Sequence, residues 1–429
     1  MPNKIYIQKK SNRGFAALFV TILILAVILG VVVSITVLTV GEYRMSRNIA
    51  ESSQIYYAAE AGVEDALLRL TKGMNWSSPY TLSAGGALST IEISSILGGA
   101  RTIDSESSKK TLARKIEVVY SVETVNVSFY YGAQVGEGGM DLGNNARISG
   151  NVFSNGSVIA LTGIGYIDNS ITVATNGNKI QGLDVGDDAM AHTCQDSTIG
   201  GDLTYVSTLV NCTAGGAVKT QPGEIDPKEL PITLDQIDGW KTEASIGGIL
   251  DDDYDLGISE TASLGPAQIG TVASPKNLIL GNNAVLTLTG TVYVTGDIVV
   301  GNNAIIQLNP SYGSTGGAIV MDGKINFSNN ASFQGSGQPG SYLLVVSTNS
   351  SLDPASPAID VYNNAEGAIF YTNSGLIYIH NNVIIKEVTG YKVKLDNNAT
   401  VTYETGLSDA SFSSGPGGSW EVISWREVE

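Results

Sequence analysis

The stretch RGFAALFVTILILAVILGVVVSITVLTV, residues 13–40, decides how the fold begins. No charged side chain occurs from Phe15 to Val40. As a helix this segment would rise about 39 Å, enough to cross a bilayer with some tilt. The apolar core of a secretory signal, about 7–15 residues, is much shorter. Because basic residues in segment 1–14 precede the apolar segment, we expect the N-terminus in the cytoplasm and everything after Val40 outside.

The helical pattern continues beyond the apolar segment. Good helix formers without proline extend to Lys72, and Gly73 is a stop signal. Apolar residues recur at helical spacing: Ile49, Tyr56, Val63, Leu67 and Leu70. We therefore expect the second half of the helix to be amphipathic and to pack against the chain's own domain or against neighbouring helices.

The order of these segments resembles one known family. RGFAALF, then the long apolar helix, then YYAAEAGVEDAL at 56–67 is similar to the N-terminus of type IV pilins and pseudopilins, most of all minor pilins of the PilX type. The resemblance implies cleavage between Gly14 and Phe15 by a prepilin peptidase and N-methylation of Phe15. It further implies residence in the inner (cytoplasmic) membrane and packing of the helix against other pilin subunits.

One position departs from that family. Typical pilins carry glutamate at the fifth mature position, where this chain has Phe19. In the family the glutamate neutralises the terminal amine of an adjoining subunit, since a lone buried charge is costly. Its absence favours a rare priming or tip-located subunit over the major repeating one. A chain that is never cleaved and remains a permanent anchor is the alternative.

A repeated motif dominates the chain after residue 136. NNAVLTL at 282–288 and NNAIIQL at 302–308 are near copies, with Ala284, Leu286 and Leu288 expected to point inward. Short strands with glycine or asparagine corners describe the coils of a parallel β-solenoid. The corner asparagines are Asn144 and Asn145, Asn282 and Asn283, Asn302 and Asn303, Asn329 and Asn330, Asn363 and Asn364, Asn381 and Asn382, and Asn397 and Asn398.

Asparagine suits such corners because it tolerates left-handed backbone conformations and because stacked amides form ladders. The predicted fold class is therefore a long N-terminal α-helix, transmembrane and pilin-like, followed by a mainly β region with a parallel β-solenoid. A β-sandwich is the structural alternative, although it does not explain a near-copy motif. Handedness stays open, and the irregular coil length leans towards a right-handed solenoid.

The expected segments follow from these patterns. Thr233 with Gln236 predicts a capping box in the proline-bearing insertion, and Ser105–Lys110 is interpreted as an exposed loop. The segments are a basic leader (1–14), the N-terminal helix (15–72), a small β-rich region (73–135), first solenoid coils (136–218), the partly helical insertion (219–262), second coils (263–412) and a C-terminal strand or tail (413–429).

The two cysteines predict a disulfide. Cys194 and Cys212 lie 18 residues apart, close to one coil. Equivalent positions on successive coils are about 4.8 Å apart, within the Cα range of a disulfide. We expect a bridge between adjacent coils in an oxidising location. Two free thiols are the alternative, and His192 nearby makes a poor match to a zinc site.

Charge and chemistry argue against several function classes. The net charge of −17 argues against a general nucleic-acid binder. Asp251, Asp253 and Asp255 resemble the start of a calcium loop and are the only, weak, cofactor candidate, because Ala262 stands where the loop needs glutamate. A solvated acidic turn is the alternative. No catalytic or metal residues are predicted.

These observations predict a non-enzymatic structural subunit, a minor pilin or pseudopilin of a type IV pilus system that displays an extracellular β-solenoid. Its expected roles are assembly priming, tip location or adhesion. Expected partners are other pilin subunits, the prepilin peptidase, the lipid bilayer and a surface glycan or host cell-surface ligand. The alternatives are a membrane-anchored carbohydrate-active β-helix enzyme and a permanently anchored surface adhesin.

Overall fold

The computed structural model describes residues 13–71, 77–94, 100–110, 112–122, 125–412 and 420–428. Most of the basic leader, the predicted stop Gly73 and the glycine-rich segment 413–419 lie outside the described residues. The chain divides into two units. Unit 1 contains Met1–Ile93, Thr102–Val118 and Ser424–Glu429, and unit 2 contains Ser94–Arg101 and Val119–Ile423.

Unit 1 contains one long helix and most of a five-stranded sheet. Helix α1 spans Arg13–Thr71, so the expected helix is present. The first two strand pairs of the sheet are antiparallel. In sheet order the strands are Tyr80–Ala84, Ala87–Ile93, Ala100–Lys109, Leu112–Val122 and Trp420–Val428. The C-terminal strand therefore joins the sheet of the N-terminal region.

The buried face of α1 differs from the predicted one. Small residues dominate it: Ile55, Ala58, Ala59, Val63 and Ala66 are all buried. Of the residues at helical spacing, Val63 is buried against the chain's own domain, whereas Ile49 is 62% exposed and is left to the other predicted contact, with neighbouring helices. A Cβ atom on Gly62 would lie only 2.3 Å from Ser105 Oγ. The helix thus approaches the sheet so closely that small side chains, rather than the largest apolar ones, define the contact face.

The segment Ser105–Lys110 is not an exposed loop, so that prediction was wrong. It continues the strand Ala100–Lys109, where Ser105 and Ser107 are fully buried. These residues pair antiparallel with Ala87–Ile93. Serine is polar, and we interpreted polarity as exposure, but a small serine is what the close approach of α1 permits.

Unit 2 is a parallel β-solenoid with three faces, which confirms the predicted fold class. We call these faces A, B and C, in the order in which the chain passes through them in each coil. Five strands are long enough to continue from face A into face B. Face A contains Ile249–Leu250, Ala267–Thr271, Val292–Val294, Gly317–Met321, Leu343–Ser347, the first parts of Ile369–Ile379, Glu387–Leu395 and Ala133–Leu142, then Val152–Ser154, Ile171–Val173, the first parts of Ala189–Gln195 and Leu203–Val210, and Val218–Thr220.

The other two faces follow the same stacking order. Face B contains Tyr254–Leu256, Leu278–Leu280, Ile298–Val300, Ile325–Phe327, Ile359–Val361, the second parts of Ile369–Ile379, Glu387–Leu395 and Ala133–Leu142, then Val158–Ala160, Lys179–Gln181 and the second parts of Ala189–Gln195 and Leu203–Val210. Face C contains Thr261–Leu264, Val285–Leu288, Ile305–Leu308, Ser332–Gln334, Ile384–Ile385, Thr400–Thr402, Arg147–Ser149, Gly165–Ile167, Leu183–Val185, Thr198–Ile199 and Thr213–Ala214.

The coils do not stack in sequence order. The strand Glu387–Leu395, near the end of the chain, pairs in parallel with Ala133–Leu142, which belongs to the first coil. On face C, Thr400–Thr402 pairs with Arg147–Ser149. The chain therefore enters and leaves the solenoid at adjacent coils in its middle. Beside this junction Val125–Asn126 pairs antiparallel with Ser411–Phe412.

A return segment makes this order possible. Residues 221–248, here called the strap, run along the outside of face A from the coil of Val218–Thr220 to the coil of Ile249–Leu250. The strap contains helix α2, Leu234–Ile246, whose N-terminus has the predicted capping box of Thr233 and Gln236. Contacts mark its path: the Asn155 amide donates to Lys228 O, the Tyr371 hydroxyl to Ile232 O, and Lys241 Nζ to Asp322 Oδ1.

The solenoid core is a column of aliphatic side chains. Ala284, Leu286 and Leu288 are fully buried, as the aligned repeat predicts. A second apolar cluster lies between the strap and the outside of face A, where Trp240 is fully buried beside Ile369 and Tyr371. The remaining short elements are the antiparallel strand Ser274–Pro275 and the 3-10 helices Pro310–Tyr312 and Thr405–Asp409.

Candidate functional site

The first half of α1 is an exposed apolar rod. From Leu18 to Val40 every large apolar side chain is at least 45% exposed. This helix is long and apolar enough to cross a membrane, and no part of its most apolar stretch is buried within the chain. A contiguous apolar surface of this size marks a site for lipid or for other apolar helices.

The two residues at the predicted cleavage junction lie at the start of that rod. Gly14 and Phe15 belong to the first turn of α1. Phe19, at the position where typical pilins carry glutamate, is 62% exposed. The helix has no acidic residue in its first turn. This end of α1 therefore offers no carboxylate to a neighbouring amine.

The second asparagine of each pair lies at a left-handed corner. Seven residues share this conformation, with φ between 57° and 60°: Asn145, Asn283, Asn303, Asn330, Asn364, Asn382 and Asn398. Most residues pay about 1–2 kcal/mol there, whereas asparagine is tolerated because its side chain can hydrogen-bond locally. The backbone requirement explains why asparagine recurs at this position.

Side-chain amides connect these corners from coil to coil. Asn303 Nδ2 donates to Asn283 Oδ1 at 3.3 Å, and Asn330 Nδ2 donates to Asn303 Oδ1 at 3.1 Å. The ladder crosses the chain junction, because the backbone N–H of Asn144 donates to Asn397 Oδ1 at 2.9 Å. The first pair in the sequence is thus the next step after the last pair.

Acidic residues make similar steps at the other two corners, Asp253 between faces A and B and Asp188 between faces C and A. Asn277 N–H donates to Asp253 Oδ1, and Asp202 N–H donates to Asp188 Oδ1, both at 2.7 Å. Asp251 and Asp255, the other calcium candidates, are exposed. Among the described residues, no three His, Cys, Asp or Glu side chains form a metal-binding group. Asp253 therefore has a part in joining neighbouring coils.

The cysteines form a disulfide between adjacent coils, although not at equivalent positions. Cys194 and Cys212 have a Cα–Cα distance of 6.2 Å. Cys194 pairs in register with Leu209, so one coil here is 15 residues rather than 18. The predicted equivalence was wrong because a β-bulge and a short coil shift the register. Cys194 is fully buried, so the bridge lies on the core side.

Face B carries a cluster that we did not predict. His380 Nε2 lies 2.8 Å from Asp360 Oδ1, and the imidazole stacks between Tyr378 and Tyr362, with ring centroids 3.9 Å and 4.6 Å away. The Tyr378 hydroxyl donates to Asp396 Oδ2 at 2.7 Å.

Lys394 completes this cluster. Its Nζ lies 3.9 Å from the centre of the Tyr378 ring and donates to the Tyr378 hydroxyl at 2.8 Å. Burial opposes the charged form of Lys394, but its bond to Tyr378 and the nearby Asp396 outweigh burial and raise its pKa. The cluster is therefore a fixed arrangement of rings and charges on the outer surface.

The sequence did contain the signal for this cluster. Tyr362, His380 and Asp396 each directly precede an asparagine pair, and neighbouring repeats stack in register. Residues at equal distance from the pairs must therefore be neighbours in space. A search for separate motifs misses this relation because the members lie 16–18 residues apart.

Comparison with known proteins bears mainly on α1. Residues 13–64 match the family model described as PilX N-terminal. No curated protein gives a significant match. One solved structure, the competence-associated pilin ComZ from Thermus thermophilus, aligns over 88% of this chain and 97% of its own at 12% identity, with a TM-score of 0.26. The family match confirms that the N-terminal segment is type IV pilin-like.

Proposed function

We propose that this chain is a non-enzymatic structural subunit of a type IV pilus system. The observation that carries the proposal is the exposed apolar half of α1, which needs an apolar environment. The PilX N-terminal match over residues 13–64 supports the proposal. In our proposal the helix leaves lipid to pack with the helices of other subunits. Lipid and neighbouring pilin helices both bury the same apolar side chains, so moving the helix from one environment to the other costs little free energy.

Processing and orientation follow from the same segment. A prepilin peptidase cleaves between Gly14 and Phe15 on the cytoplasmic side of the inner membrane. The basic leader stays in the cytoplasm, and the solenoid lies outside. The disulfide of Cys194 and Cys212 supports this placement, because such bonds persist in oxidising compartments.

The position in the filament is the finer part of the proposal. Because position 19 is phenylalanine, this subunit offers no carboxylate to the N-terminal amine of the subunit ahead of it in the filament. A subunit at the tip, or one that starts assembly, has no subunit ahead of it and does not need this pairing. We place the chain there, with the solenoid displayed for contact with a surface.

Immunogold labelling of sheared filaments tests this proposal. We expect label at filament ends in wild type and loss of piliation when the gene is deleted. Phe19→Glu should spread the label along the filament, whereas Phe19→Leu, which keeps an apolar side chain, should leave it at the ends. Label confined to the membrane fraction, with normal piliation in the deletion strain, would indicate a permanent anchor.

A further inference from the structure

A groove on face B lies next to the His380 cluster. It encloses about 220 Å³ and is lined by Val299, Asn326, Asp360 and Tyr362 on the solenoid side. The segment 355–357 forms the facing wall. Lys324 holds that wall in place, since its Nζ donates to Ser356 O at 3.0 Å and to Ser356 Oγ at 2.6 Å.

The floor of the groove is set by the repeat. Val299, Asn326 and Asp360 are aligned on successive coils. Val299 is exposed and Asn326 half-buried, whereas Asp360, which His380 contacts, is only 8% exposed. Beside them, in the row that contains Tyr362, the preceding coils carry only Ser328 and Gly301. Small residues there leave the ring of Tyr362 standing above the surface. Coils repeat at about 4.8 Å, so these rows extend the groove along the solenoid.

The ring of Tyr362 is held in a fixed orientation. One face of its ring is covered by His380 at an interplanar angle of 16°, while the residue remains 36% exposed. His380 is itself held by Asp360 at 2.8 Å. Tyr362 also lines the groove, so a ligand there meets a ring whose orientation is already fixed. Pre-organisation of this kind lowers the entropy cost of binding.

The groove offers the chemistry that recognises a sugar ring. The negative face of an aromatic ring attracts the C–H groups of a pyranose. Asp360 accepts from hydroxyl groups, and the Asn326 amide both donates and accepts. The groove has two carboxylates, on Asp297 and Asp360, and one ammonium group, on Lys324; Asp360 also contacts His380, and Lys324 also bonds to Ser356. That balance favours a neutral ligand over an anionic one.

We infer that this groove binds a neutral oligosaccharide, with one pyranose ring on Tyr362 and further rings along the coils towards Gly301. The volume is below the range of about 300–1,000 Å³ typical of pockets for drug-sized ligands, which suits one enclosed ring with the rest of the chain on the open face. The site belongs to the solenoid alone and holds whether or not α1 enters a filament.

Calorimetric titration of the full chain in lipid nanodiscs tests the inference. The neutral probes are cellotetraose, maltotetraose and chitotetraose, and the anionic comparators are tetragalacturonate and a single-stranded oligodeoxynucleotide. We expect at least one neutral probe to bind. Tyr362→Ala should weaken that binding roughly tenfold, the equivalent of one aromatic contact. Tyr362→Phe should retain it.

Tyr166→Ala is the matched control, because Tyr166 also lies on the outside of a strand but on face C. It should bind as wild type does. The inference is overturned if no neutral probe binds at millimolar concentration, if only the anionic probes bind, or if Tyr362→Ala binds as tightly as wild type. The readout needs no filament, so it is independent of the labelling experiment on piliation.

Discussion

Asn303 offers a direct test of the corner geometry, because two substitutions separate its backbone role from its side-chain role. Its φ is 57°, and its amide joins Asn283 on one side and Asn330 on the other. Alanine loses both amide contacts and adds backbone strain. Glycine loses the same contacts but adopts this φ freely.

The magnitudes follow from these terms. Two exposed hydrogen bonds contribute about 0.5 kcal/mol each. In the alanine variant, left-handed strain costs a further ~1–2 kcal/mol. In the glycine variant there is no such strain, but the greater backbone entropy of glycine in the unfolded chain costs about 0.5–1 kcal/mol. We expect Asn303→Ala to lower the local free energy of opening by about 2.5 kcal/mol, roughly 1 kcal/mol more than Asn303→Gly. Asn302→Ala, at a corner position without positive φ, should cost less than either variant.

Hydrogen exchange is the appropriate assay because it measures opening of one corner rather than of the whole chain. The reporters are the amides of Asn283 and Asn303, which donate to Asn302 O and Asn329 O. A difference of about 1 kcal/mol is roughly a fivefold difference in exchange rate. Faster exchange in the glycine variant than in the alanine variant would refute the strain argument.

Three further predictions concern stability. Burial raises the pKa of Glu387 well above its ordinary 4.5; wild-type unfolding free energy should therefore fall by about 1.4 kcal/mol per pH unit above 4.5 until the folded-state pKa is reached. Glu387→Gln should remove this dependence in denaturant titrations, and an unchanged slope would contradict it. Replacing Cys194 and Cys212 by serine should cost about 3 kcal/mol and accelerate hydrogen exchange in 189–220 but not in 285–308; equal acceleration of both would count against a local bridge. Trp240→Ala should cost about 3–5 kcal/mol and expose the strap to limited proteolysis, whereas alanine at the exposed Trp425 should change stability by less than about 0.5 kcal/mol.

The repeat in the sequence predicts local geometry well. The alignment of 282–288 with 302–308 predicts which side chains point inward, because strands alternate with a period of two. It also predicts asparagine at corners, because few residues accept a positive φ. Both conclusions depend only on neighbouring residues, and for this reason a single sequence contains them.

The order of the coils was not predictable in the same way. Periodicity shows that a coil stacks on another coil, but it does not show which one. Asn144 lies more than a hundred residues before Asn282, and yet its step in the ladder follows Asn397. The strap that allows this order has little periodicity of its own. Long-range pairing of this kind is decided by packing over the whole unit.

The candidate groove shows an intermediate case. Its members sit at fixed distances from the asparagine pairs, so their proximity follows from the repeat once the repeat is aligned. The wall at 355–357 does not follow, because it belongs to an insertion between coils. The register of Cys194 likewise depends on a short coil that only the structure reveals.

Mass spectrometry of the N-terminus of the protein, purified from its native membranes and filaments, tests the central claim most directly. Our account predicts a mature chain that begins at Phe15, carries an added methyl group on its amine, and is recovered from sheared filaments. Recovery of the chain with Met1 and the leader still attached, in the membrane fraction alone, would contradict it.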